Sequence, residues 1–329
     1  MRAFAIAVIV VLLQTGCMYT DHGRTNPIDP GSTNYIPASH WTLMPTSPSP
    51  VHIGAGHAAV SYKNEIWVIG GSSNAANAMN EVRRSSGGPS WISGNNLPTT
   101  LWLHAAVVFR GAVWVVHGSY GSGSRTNIML YSTGGGWGSF SPVPDNKRYG
   151  HAVVVYKNKL WMIGGDTGAS PLRTNDVWAT SDGTNWNLVT ASASFLPRAG
   201  HRAFVWDDKI WIVGGCDSSP PYFSDIYWST DGVNWTAAPP MPFARSYPAV
   251  VVINNRIVVI GGETNASAPV KDIWYTPDPS ATGSWRQVQS PFTTNFSRQS
   301  SLMFNDKVWM IGGANGSSPY TNNNVWWSY

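Results

Sequence analysis

Four arginines, Arg148, Arg198, Arg245 and Arg298, stand just ahead of short apolar runs in this 329-residue chain. Planar guanidinium groups bind carboxylates and sulfates through paired hydrogen bonds. Tyr120, Tyr149, Tyr222, Tyr247 and Tyr320 fall in or beside the same polar stretches, with Phe223 and many Ser and Asn between them. Aromatic faces mixed with amides and hydroxyls suit sugar rings or a peptide, so an acidic ligand is the chemistry these residues favour. Carboxylates nearby are few: Asp166, Asp217 and Glu263. With His151 or His201 they would make a general acid–base pair only if folding brought them together. No HExxH, GxSxG, P-loop or dinucleotide fingerprint is present, and no metal or cofactor is implied.

The elements that position these residues repeat. Trp41, Trp91, Trp137, Trp186, Trp235 and Trp285 are separated by 46 to 50 residues. In phase with them, Ile69-Gly70-Gly71, Val116-His117-Gly118, Ile163-Gly164-Gly165, Val213-Gly214-Gly215, Ile260-Gly261-Gly262 and Ile311-Gly312-Gly313 recur every 47 to 51 residues. A fixed period near 50 is one supersecondary unit copied six times. In the third copy, Ala152–Tyr156 and Leu160–Gly165 flank the turn Lys157-Asn158, which reads as a hairpin. Asp176–Thr180 reads as a third strand, Ser181–Asn185 as a turn whose Asp-Gly supplies positive φ, and Trp186–Val189 as a fourth strand. The runs are too apolar for sheets with one wet face. Radial stacking of six four-stranded antiparallel sheets buries both faces. Trp67, Trp114, Trp161, Trp211 and Trp309 would fill the space between sheets, with Val258 in that place in the fifth copy. His57, His104, His151 and His201 also recur, and repetition argues for a scaffold role.

This pattern resembles the Kelch repeat over nearly all of the chain after residue 40. The glycine pair ending the second strand, the aromatic in the third and the Trp in the fourth carry the likeness. So does the Arg-x-x-His element at Arg148–His151 and Arg198–His201, kept without His at Arg245–Pro248 and Arg298–Ser301. The resemblance implies an all-β, six-bladed β-propeller. The segment 40–45 would be a fourth strand completing the last blade, which otherwise ends after Asn324–Ser328. It does not imply an activity, because the fold hosts enzymes and binding proteins alike.

Residues 1–16 read as a signal peptide: Arg2, the apolar stretch Ala3–Leu13, then small residues before Cys17. Cys17 resembles the lipid-bearing cysteine of a bacterial lipobox, with Gln14 where Leu is preferred. Ordinary cleavage is the other reading. Residues 17–39 read as a flexible tether rich in Pro, Gly, Asn and Thr, and 40–329 as the propeller. Anchor, spacer and body together are the layout of an envelope lipoprotein, touching the membrane through lipid alone. Charged residues make up 12% of the chain, about half the usual share. The net charge of +4 is scattered, which argues against a nucleic-acid partner.

In an up-and-down sheet the long loops after the glycine pairs share one face with the fourth-to-first connections. Long loops on one rim of a rigid scaffold are where ligands bind. Arg148, Arg198, Arg245, Arg298, Tyr120, Tyr149, Tyr222, Tyr247, Tyr320, Glu263 and Asp166 are therefore the candidate ligand-binding residues, with no catalytic residue assigned. A competing reading has each arginine bonding the backbone of the adjacent sheet. The function this supports first is a non-catalytic recognition module for an acidic glycan or protein. The alternatives are an enzyme on an acidic sugar, similar to the exported Kelch-type N-acetylneuraminate epimerases, and a structural or adhesion component.

Overall fold

The computed structural model describes residues 41–44, 53–74, 77–120, 124–141, 147–217, 221–264, 268–316 and 323–328. All lie in the compact unit Pro37–Tyr329. The signal peptide, Cys17, the tether and Tyr320 lie outside the described residues.

The propeller has six four-stranded antiparallel blades. Blade 1 is Ala58–Tyr62, Glu65–Ile69, Val82–Ser85 and Ile92–Ser93. Blade 2 is Ala105–Phe109, Ala112–Ser119, Arg125–Ser132 and Gly138–Phe140. Blade 3 is Ala152–Tyr156, Lys159–Asp166, Arg173–Thr180 and Asn187–Thr190. Blade 4 is Arg202–Trp206, Lys209–Val213, Ile226–Ser229 and Thr236–Ala238. Blade 5 is Ala249–Ile253, Arg256–Ile260, Ile273–Thr276 and Arg286–Val288. Blade 6 is Ser300–Phe304, Lys307–Ile311 and Val325–Ser328, completed by Trp41–Leu43 from the other end of the chain. Trp41 stands opposite Ser328, Thr42 opposite Trp327 and Leu43 opposite Trp326, and Trp41 packs on Phe292 of the preceding blade at 5.2 Å between ring centroids.

Local chemistry explains each blade. All six hairpins between inner and second strands turn through two residues of positive φ, from Lys63-Asn64 (48° and 59°) to Asn305-Asp306 (49° and 56°). This is the type I′ turn, whose twist matches the strands it joins. The second-strand tryptophans are buried, and the indole N–H of Trp114, Trp161, Trp211 and Trp309 donates to the carbonyl five residues earlier at 2.9–3.0 Å. Apolar side chains form six clusters, one in each gap between neighbouring blades. Where the sequence predicts an open loop after residue 165, blade 3 keeps pairing past a bulge at Gly164, with Gly165 opposite Thr174 and Asp166 opposite Arg173. The glycines bend the strand without ending its ladder.

Candidate functional site

Two rings of backbone hydrogen bonds hold the mouth of the propeller. In the outer ring, the second glycine of each pair donates to the next blade: Gly71 to Leu101, Gly118 to Arg148, Gly165 to Arg198, Gly215 to Arg245, Gly262 to Phe296 and Gly313 to Gly54, at 2.7–3.0 Å. The inner ring runs around the axis one residue per blade. Leu103 N–H donates to Gly56, Gly150 to Leu103, Gly200 to Gly150, Tyr247 to Gly200, Arg298 to Tyr247 and Gly56 to Arg298, at 2.6–3.2 Å.

Every member of the inner ring has positive φ, between 49° and 68°. Glycine fills three places without steric strain. The other three are Leu103, Tyr247 and Arg298, and outside the hairpin turns the only further non-glycine of this kind among the described residues is His117. Side chains held in this conformation cluster at functional sites, because the surrounding structure must compensate the strain. All four sit at this mouth.

This ring also fixes the register of the repeat. Phe296 takes the hydrogen-bond position that Arg245 takes in the blade before, so Arg298 lies two residues further on, in the throat. The alignment of Arg298–Ser301 with the Arg-x-x-His element is thus corrected: the residue matching the repeated histidine is Gln299. Its Nε2 donates to the carbonyl of Ile260 in blade 5 at 2.8 Å. His57, His104 and His201 turn toward the matching carbonyls of Ile311, Ile69 and Ile163, short of full hydrogen-bond geometry. Burial holds His57, His117 and His201 down to about 3 and His104 to about 4, and lowers His151 as well, so these imidazoles are neutral. His117 replaces the first glycine of its pair and packs against His151 of the next blade at 5.7 Å.

The candidate arginines divide into two groups. Arg148 is 1% exposed. Its backbone bonds blade 2, while its fork grips Asp176 of blade 3 at 2.7 and 2.9 Å and donates to Gly164 O at 2.9 Å. Arg198 repeats this one blade on, with Asp225 at 2.5 and 2.7 Å and Gly214 O at 2.9 Å. Arg245 reaches Asp272 of blade 5 through Nη2 and one carboxylate oxygen, while its Nη1 donates to Ala244 O at 3.0 Å. Each of the three ties two neighbouring blades together. Arg298 instead stands at the throat, 4.9 Å over the Tyr247 ring, with its Nη2 2.9 Å from Glu263. Ser297 donates to the same carboxylate at 2.9 Å.

Asp166 lies buried under two further arginines. Arg125 donates to it from Nε at 3.0 Å and Nη2 at 2.5 Å, and Arg173 pairs with its other oxygen. Arg125 also covers Tyr149 at 4.8 Å. Two guanidinium groups share one carboxylate, so this corner keeps an excess positive charge. Tyr247 is buried, which pushes its phenol up. Tyr222 is buried beside Cys216, whose thiol burial also raises, and Tyr120 is 43% exposed with its hydroxyl accepting from Thr126. The structure thus draws Tyr247 and Glu263 together around Arg298, and Asp166 and Tyr149 around Arg125.

A family model described as the KLHDC2/KLHL20/DRC7 Kelch-repeats domain matches residues 150–327, just over half of the chain. The chain belongs to the Kelch-repeat family. No curated protein matches it. Its Kelch-propeller fold fits a binding module.

Sequence reasoning missed Leu103, Arg125, Arg173 and Arg202. The first three announce themselves only through the ring and the shared carboxylate. Arg202 had a signal: the first residue of the inner strand is Ala58, Ala105, Ala152, Ala249 and Ser300 in the other blades. Among the described residues, no cluster of three His, Cys, Asp or Glu side chains has the arrangement to hold a metal ion.

Proposed function

We propose that this Kelch propeller is a non-catalytic recognition module, lipid-anchored at Cys17 in a bacterial envelope, that holds an acidic glycan or an acidic protein segment at its mouth. The observation that carries this reading is the strained inner ring. It places an apolar, an aromatic and a cationic side chain (Leu103, Tyr247 and Arg298) at one opening, beside the Arg125–Arg173 pair with its excess charge. An acidic group would meet guanidinium donors there, and the Tyr149 and Tyr247 rings offer flat surfaces beside them.

An array of sialylated, uronic and sulfated glycans together with acidic peptides tests the proposal. Wild-type protein should retain a subset defined by its acidic group. Arg125→Met combined with Glu263→Gln and Arg298→Met removes both cationic corners while keeping stem packing and stranding no carboxylate at Glu263. Affinity should fall at least about tenfold while the melting temperature changes by a few degrees. Equal affinity, or an absence of acidic ligands from the retained set, refutes it. Palmitate labelling that persists in Cys17→Ser would refute the anchor.

A further inference from the structure

Below the inner ring the six inner strands enclose a central channel. Its narrow upper compartment, of about 30 Å³, is bordered by His57, His104, His151, Arg202, Tyr247 and Arg298. A wider cavity of about 200 Å³ continues beneath it, and the same three histidines and Arg202 line both. The remaining walls are mainly alanine, valine and serine, and among the described residues no carboxylate borders either compartment.

Arg202 is the exception in this wall. Its guanidinium has no hydrogen bond or ion pair among the described residues, unlike Arg148, Arg198, Arg245 and Arg298. Its charge is felt at His57 and His201, both neutral, and the phenol of Tyr247 lies nearby. Burial draws the guanidinium down to about 10, so it stays charged at neutral pH. An enclosed cation without a counter-charge is expensive, and small mobile anions satisfy it at once. The hydroxyls of Ser300 and Ser301 donate to the carbonyls of His57 and Val250, and Arg202 is the guanidinium that lines both compartments.

We propose that the central channel is an anion-binding site in which Arg202 anchors a small carboxylate or oxyanion. The upper compartment admits water-sized groups, and the wider cavity of about 200 Å³ beneath it has room for a group the size of acetate or phosphate beside Arg202. Tyr247 and Arg298 of the inner ring border the upper compartment as well as the mouth, so Arg202, which the mouth ligand does not use, is the residue that tells the two sites apart.

Thermal unfolding of the full chain at constant ionic strength tests this, with acetate, phosphate, glucuronate or glucose added. Arg202→Ala installs the residue that four other blades carry at this place, so the variant should fold. Acetate or phosphate should raise the wild-type melting temperature by several degrees in a saturable manner. The response should vanish in Arg202→Ala and persist in Arg125→Met, whose side chain borders neither compartment. A flat wild-type response, or parallel responses in wild type and Arg202→Ala, overturns the site. Among supporting outcomes, stabilisation by acetate and not by glucuronate assigns the site to a free small anion. Stabilisation by glucuronate, with glucose inert, assigns it to the carboxylate of a larger molecule.

Discussion

Removing the guanidinium of Arg148 would strand Asp176 and leave Gly164 O without its donor. Breaking a buried pair from one side is strongly destabilising. Arg148→Ala should therefore lower the unfolding free energy by about 3 kcal/mol in urea titrations. Arg148→Lys should recover little of it, because an ammonium cannot span both carboxylate oxygens. A loss below about 1 kcal/mol would show that the clamp is dispensable. The buried histidines predict a pH dependence. Unfolded histidines take up protons near pH 6.5, while the folded ones resist to about 3 or 4. Below pH 6.5 the unfolded chain binds more protons, so stability falls as pH falls and is fully present above that value. Each imidazole contributes a slope approaching about 1.4 kcal/mol per pH unit. His57→Gln, His104→Gln and His201→Gln together copy Gln299 and should flatten the urea midpoint between pH 6.5 and 4.5. An unchanged slope would place the sensitivity elsewhere.

The blade interlocks with its neighbour through turns as well as strands. Asp182 accepts the N–H groups of Asn185 and Thr184, which hold its carboxyl well below the usual range, and Asp231 accepts those of Asn234 and Val233. These turns place Gly183 and Gly232, at φ of 87° and 75°, against Trp114 and Trp161 of the preceding blades. A methyl group at either site has no room beside the indole and a backbone that L-residues resist. Gly232→Ala should cost about 2 kcal/mol or more, read as a lower urea midpoint. Gly283, at φ 69° but with open space around it, is the internal control and should lose about 1 kcal/mol. Equal effects would mean that backbone strain alone matters and that the turn does not lock blades.

At the scale of the molecule, Trp41–Leu43 is the one outer strand supplied from a distant part of the sequence. Deleting residues 41–44 removes the pairing with Trp326–Ser328, the Trp41–Phe292 contact and the bond from Met44 N–H to Val325 O. The loss should be about 3 kcal/mol, a fall of roughly 6–12 °C in melting temperature. The exposed edge of blade 6 should also promote self-association, visible by light scattering. A deletion variant melting within about 2 °C of wild type would show that the ring holds without this strand.

The sequence by itself determined the number of blades, their strands, the hairpin turns and the closing strand. Each is written in a local period: the Gly-Gly ends, the two-residue turns and the evenly spaced tryptophans. The rim arginines were legible as a set, but not their division. Arg148 and Arg298 look alike in sequence, yet one faces Asp176 of the adjoining blade and the other joins the throat. Only tertiary structure decides that, because a two-residue offset between repeats shows itself when the rings of hydrogen bonds close. It also isolates Arg202: whether a cation has a partner depends on what five other strands bring to the axis, and no stretch of chain around residue 202 contains that information.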